Sequence, residues 1–187
     1  MDHKAVAAEW GRILDEFFDS RAGAYARAVT AAAAALRGGG KILAFGNGGS
    51  AAEAQHFVAE LVNKFLKTRP ALRALALTAD TSVLTCIGND VSFNAVFARQ
   101  VEALGDRGDI ALGLSTSGRS PNVIEGLKAA RKKGLVTVAL TGRGGADLAA
   151  LADILLDVPS TSTPRLQEIH LYLLHRLAED LENLLTA

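Results

Sequence analysis

His56 and Glu60 stand four residues apart in the sequence, which on a helix means one turn apart on one face. An imidazole and a carboxylate placed this way can share a metal ion, and both suit zinc. The same spacing also describes a surface pair that only stabilises its own helix. A second group, Gln167, Glu168, His170 and His175, lies near the C-terminus. The run Ile169–Leu177 around it is apolar almost all round, which predicts burial on several sides and makes His170 a satisfied core histidine. Gln167 and His175 are eight residues apart, about 12 Å along a straight helix. One metal ion reaching both would need a bent helix start or ligands from different subunits.

Two loops could hold an anion. Gly46-Asn47-Gly48-Gly49-Ser50 follows an apolar run and precedes a helical one. Its glycines let the backbone approach a ligand, and a helix start offers free N–H groups. Gly46-x-Gly48-x-x-Ala51 also fits the loose dinucleotide pattern, but that pattern expects a ribose-binding acid about 20 residues on, and Asp80 comes too late. Ser115-Thr116-Ser117-Gly118-Arg119-Ser120 gathers four hydroxyls before another helix. Such a loop binds phosphate without a lysine, or is a polar turn with an N-cap serine. Gly-Lys-Ser/Thr is absent, which argues against triphosphate hydrolysis. Two such loops favour a phosphorylated small molecule over a dinucleotide.

The elements that must position these residues follow from periodicity. Val6, Trp10, Ile13, Leu14 and Phe17 mark a first helix, and 22–36 a second, ended by Gly38-Gly39-Gly40. Strands are expected at 41–45, 72–77, 109–114, 135–140 and 154–158. Between them run helices at 50–65, near 82–87 and 93–104, and after Ser120, with a long helix from about Pro164. Alternating strands and helices mean βαβ units, a parallel sheet and helices on both faces. Ligands in such sheets bind beyond the carboxyl ends of the strands, at Gly46–Ser50, Ser115–Ser120 and Thr141–Gly145.

The 187 residues suit one domain, and 49% hydrophobic with 21% charged residues is globular composition. Twenty basic residues balance twenty acidic ones, so a nucleic-acid coat is not expected. The single Cys86 excludes an internal disulfide and reads as a small core residue in an apolar stretch. No apolar run reaches the roughly 20 residues of a membrane span, and the N-terminus has no signal-peptide core. The reading is a cytoplasmic, single-domain protein without a membrane partner.

The stretches GNGGSAAEAQHFVAEL at 46–61, GND at 88–90, GLSTSGRSPNVIEGL at 113–127, LTGRGG at 140–145 and LQEIHLYLLH at 166–175 together resemble the phosphoheptose isomerase family of the sugar isomerase (SIS) domain group. The resemblance runs through essentially the whole chain. It implies an α/β fold, a three-layer αβα sandwich with a five-stranded parallel sheet, and N-terminal helices used in a homotetramer with active sites at subunit interfaces. It implies one zinc ion per subunit on His56, Glu60, Gln167 and His175. Asn47, Gly48, Gly49, Ser50, Asn89 and Asp90 would line the substrate site, with Gln167 and Glu60 beside them. Ser115, Thr116, Ser117 and Ser120 would hold the phosphate. The implied reaction turns sedoheptulose 7-phosphate into D-glycero-D-manno-heptose 7-phosphate through an enediol, the first step towards ADP-heptose, with Glu60 and His175 as the acid–base pair. Two features depart from the family pattern. Lys64 stands where an arginine is common, and Pro164 precedes the last helix. A non-catalytic relative that binds the replication initiator DnaA shares the fold but lacks the full metal set, and an isomerase of another sugar phosphate is a further alternative.

Overall fold

The computed structural model describes residues 2–186. Its elements are α1 (His3–Arg37), β1 (Ile42–Gly46), α2 (Gly49–Val62), β2 (Ala74–Ala76), α3 (Thr81–Asp90), α4 (Val96–Leu104), β3 (Ile110–Ser115), α5 (Pro121–Lys133), β4 (Val136–Thr141), β5 (Ile154–Asp157) and α6 (Thr163–Leu185). Short 3-10 turns occupy Phe93–Ala95 and Ala146–Leu148. The five strands form one parallel sheet in the order β2-β1-β3-β4-β5.

Both sheet faces are covered, which is why β1 and β3 are buried along their whole length. Strand alternation divides the apolar side chains into two cores. Ile42, Ala44, Ile110, Leu112 and Leu140 pack with Phe17, Phe57, Ile169 and Leu173 from α1, α2 and α6. Leu43, Phe45, Ala111 and Ala139 pack with Val96, Phe97, Val123 and Leu127 from α4 and α5. The result is the expected three-layer αβα arrangement.

The expected pair of N-terminal helices is one continuous helix. No proline interrupts α1, and the polar stretch at its middle is absorbed. The Ser20 hydroxyl donates back to the Glu16 carbonyl, and Arg21 donates through Nε and Nη2 to the Asp157 carboxylate at the end of β5. On either side of this stretch, Trp10 meets Tyr172 edge-on at 5.6 Å and the Tyr25 hydroxyl donates to Asp180, both partners on α6. The helix expected to reach Phe65 stops at Val62, because Glu182 captures the N–H groups of Phe65, Leu66 and Lys67. The second strand shrinks to three residues at the sheet edge. Asp80 caps α3 by accepting from the Val83 N–H. Cys86, expected in the core, is exposed. The half-buried face of α3 takes Val83, Leu84 and Ile87, and position 86 falls off it. Its thiol is pushed above the ordinary value by the Asp90 carboxylate beside it.

Two glycines test this packing in opposite directions. A Cβ on Gly126 of α5 would lie 2.8 Å from the Phe45 ring and 3.1 Å from Phe97. Gly126→Ala is therefore expected to destabilise the protein by about 1–3 kcal/mol through overpacking, against a helix-propensity gain of about 1 kcal/mol. A Cβ on Gly23 meets nothing within 4 Å, so Gly23→Ala should stabilise α1 by up to about 1 kcal/mol. Urea unfolding of both variants gives the two signs.

Candidate active site

Strands β1 and β3 are neighbours, but the chain leaves β1 for β2 on its other side. Their outgoing connections therefore diverge, and the crevice between them is where ligands bind in open α/β sheets. The glycine loop and the hydroxyl loop both open there.

The glycine loop turns at Gly48, whose φ of 56° requires glycine. Gly48 caps α2 without any side-chain bond; the N–H groups of Ser50, Ala51 and Ala52 turn back to the Asn47 and Gly48 carbonyls, which leaves that of Gly49 at the helix start. Asn47 and Asn122 exchange two amide hydrogen bonds of 2.8 Å. Sequence reading missed Asn122, which is buried at the start of α5; an asparagine just after the hydroxyl loop was the available signal. The pair ties one loop to the other. Ser50 is buried, with its hydroxyl towards Glu53.

In the hydroxyl loop, Ser115 Oγ lies 2.9 Å from Ser120 Oγ and 3.5 Å from Ser117 Oγ. Ser120 sits at the N-cap of α5 yet makes no capping bond. Its hydroxyl joins the cluster instead, so the helix N–H groups stay available to an anion. This separates the loop from a simple capped turn. Gly118 takes φ 65°, and a Cβ there would lie 2.4 Å from the Gly145 carbonyl. The Thr141–Gly145 loop thus supports the hydroxyl loop from behind.

His56, Glu60 and His175 converge. Their donor atoms all lie within 4.8 Å of one another, with His56 Nε2 2.7 Å from His175 Nε2 and 3.4 Å from Glu60 Oε1. Burial and the neighbouring His56 hold His175 below its ordinary value against the pull of Glu60. That favours the neutral imidazole, the form that binds metal. Two imidazole nitrogens and one carboxylate oxygen fit zinc. The Gln167 amide packs onto Gly49, where a Cβ would lie 2.1 Å from Nε2. Asn89 and Asp90 are exposed at the end of α3, and their side chains bond to each other.

Five residues before His175 on α6, His170 is fully buried and its Nε2 lies 3.1 Å from the Thr141 carbonyl. That contact requires the proton on Nε2, leaving Nδ1 as an acceptor. Nδ1 faces Glu53 Oε2 at 3.9 Å, and neither atom has another partner. A protonated Glu53 carboxyl suits this arrangement. Burial pushes Glu53 up to about 7, against the Ser50 hydroxyl, and pushes His170 down to about 4, against its bond to Thr141.

Gly49→Ala would displace the flexible end of Gln167 and not the backbone, so Tm should change little while metal affinity at the trio falls; unchanged metal affinity would show that the Gln167 amide is idle. The Glu53–His170 pair makes opposing contributions to stability. The raised Glu53 contributes stability that is lost as pH rises from about 4.5 to about 7, and the depressed His170 contributes stability that is lost as pH falls from about 6.5 to about 4. Together they largely cancel. Glu53→Gln should unmask the acid-side loss and His170→Asn the loss on raising pH, read as Tm against pH.

The SIS domain family profile matches residues 7–142. The phosphoheptose isomerase of Desulfovibrio desulfuricans is 54% identical over 175 residues, covering 94% of this chain and 83% of the relative. The solved phosphoheptose isomerase GmhA of Neisseria gonorrhoeae superposes with a TM-score of 0.90 at 45% identity, covering 96% of each chain. That of Francisella tularensis gives 0.87 at 35% identity, covering 98% of this chain and all of the other. The crevice, its two loops and the His/Glu/His cluster are thus carried by a chain that belongs to the phosphoheptose isomerase family of SIS-domain proteins.

Proposed function

We propose that the chain interconverts sedoheptulose 7-phosphate and D-glycero-D-manno-heptose 7-phosphate through an enediol. The observation that carries this reading is the convergence of His56, Glu60 and His175 on a chain whose hydroxyl loop leaves a helix N-terminus uncapped. Ser115, Thr116, Ser117 and Ser120, with the N–H groups of α5, hold the phosphate and so fix the sugar chain. Binding energy from this non-reacting end helps place C1 and C2. Asn47, Gly48 and Gly49 line the sugar, with Ser50 behind them and Asn89 and Asp90 at the margin.

The reaction removes a proton from C1 and returns one to C2, while the hydroxyl protons move between O1 and O2. Glu60 and His175 form the acid–base pair, a carboxylate and an imidazole within reach of each other that can trade protons with the substrate. One zinc ion per subunit would be held by His56, Glu60, Gln167 and His175. When bound, zinc supplies Lewis-acid stabilisation of the developing oxyanion. The whole chain works as a single domain in the cytoplasm, and its product feeds activated-heptose synthesis. The non-catalytic DnaA-binding alternative is not favoured, since the metal-binding trio is intact and the relatives above carry isomerase names.

We also read the protein as a homotetramer with active sites at subunit interfaces. Leu66, Val91 and Phe93 are 64%, 64% and 61% exposed in the single chain, and subunit interfaces that reach them would cover them.

Purified protein should convert sedoheptulose 7-phosphate to the aldose with zinc and lose that activity with chelator. No conversion under either condition would overturn the reading. Glu60→Gln should lower kcat by about 10² to 10⁴ with the fold intact. Ser117→Ala should raise KM, and an unchanged KM and kcat would remove Ser117 from the phosphate site. Sedimentation equilibrium should give four chains.

A further inference from the structure

Behind the metal-binding trio lies a buried ion pair that the proposed chemistry does not use. Arg69 and Glu182 are each 1% exposed in their side chains and meet at 3.0 Å. Glu182, from α6, accepts the N–H groups of Phe65, Leu66 and Lys67 at 2.7, 2.8 and 2.9 Å. Burial would raise its carboxyl, but these three donors and Arg69 outweigh it and hold the group below the ordinary carboxylate range. Arg69 donates in turn to the carbonyls of Glu60 at 2.7 Å and Leu61 at 2.8 Å, at the end of α2. The segment after α2 is therefore held in one place by a carboxylate and a guanidinium with no freedom of their own.

What this knot fixes is Phe65. Its ring stacks on the His175 imidazole, with centroids 5.4 Å apart and planes 18° from parallel. A metal-binding imidazole is ordinarily oriented by a hydrogen bond to its second ring nitrogen. Among the described residues, no side-chain hydrogen bond reaches His175 Nδ1.

We propose that Phe65, locked by the Arg69–Glu182 pair, is the positioning residue for His175: its flat face sets the imidazole plane so that Nε2 meets His56 and Glu60. The same knot bonds the Glu60 carbonyl, so one buried ion pair indexes two members of the trio to each other. This inference rests on the reading of the trio as a metal and proton-transfer centre.

The test compares Phe65→Leu, which keeps apolar bulk without a flat face, with Phe65→Tyr, which keeps the face. Phe65 is only half-buried, so both should fold, and Phe65→Met replaces the leucine variant if it does not. In metal-free protein, NMR reads the NOEs between the His175 and His56 ring protons, which report how the two imidazoles face each other. Zinc affinity is read by competition with a chromophoric chelator, and turnover with sedoheptulose 7-phosphate gives kcat and KM. In Phe65→Leu the NOEs should weaken, zinc should bind about tenfold or more weakly, and kcat should fall with KM nearly unchanged. Phe65→Tyr should restore all three. Unchanged NOEs or wild-type zinc affinity in Phe65→Leu would overturn the proposal, as would a raised KM with kcat intact. Wild-type protein that binds no zinc would instead sink the metal centre, while the metal-free NOEs still decide the orienting role.

Discussion

The pairing of β1 with β3 is the constraint on which the rest depends. These two strands are consecutive in space but not in sequence, and β2 takes the opposite side of β1. Helices must then leave their carboxyl ends in diverging directions, because right-handed crossovers send them to opposite faces of the sheet. α2 goes to the face covered by α1 and α6, and α5 goes to the other. The two helix starts remain side by side at the strand ends, neither closed by a side-chain cap. Their placement is thus a property of topology before any side chain is chosen.

What the side chains add is fixed mainly from α6. It runs alongside α2, placing Gln167 against Gly49 and His175 against His56. Two polar pairs lie on this shared surface. The Glu53–His170 pair sits between the helices near β4, and the Arg69–Glu182 pair closes the far end. Buried polar groups add little stability over an apolar core when paired, and cost much when one partner is lost. Of the two, the Arg69–Glu182 pair ties α6 to the end of α2, through the bonds of Glu182 to Phe65, Leu66 and Lys67 and of Arg69 to the Glu60 and Leu61 carbonyls.

The sequence makes the sheet legible because buried parallel strands read as short apolar runs, and all five strands lie where those runs fall. The trio is legible in half: His56 and Glu60 share a helical period, whereas His175 is 115 residues beyond Glu60 and joins them only through the packing of α6 on α2. Family resemblance supplied that link, and spacing could not. The uninterrupted α1 was hidden because glycine and serine at its middle look like a break, while the Asp157 that anchors Arg21 there is remote in sequence. The knot at Glu182 was hidden for the same reason. A glutamate in the charged last turns of α6, beyond its apolar middle, looks solvated, and nothing local reveals three backbone N–H groups waiting for it. Cys86 was misread because an apolar neighbourhood on a short helix does not say which face is covered.

The reciprocal amides of Asn47 and Asn122 also bear on how the protein ages. Asn47 is followed by Gly48, the context in which a backbone nitrogen most easily attacks a side-chain amide. Each amide in the pair serves as donor and acceptor at once, so Asn47 cannot swing towards that nitrogen without giving up both bonds. The pairing therefore shields a vulnerable linkage. Should it fail, hydrolysis would leave a carboxylate oxygen facing the Asn122 oxygen, and two acceptors would repel where a donor had joined them. Damage to one side chain would then loosen both loops together.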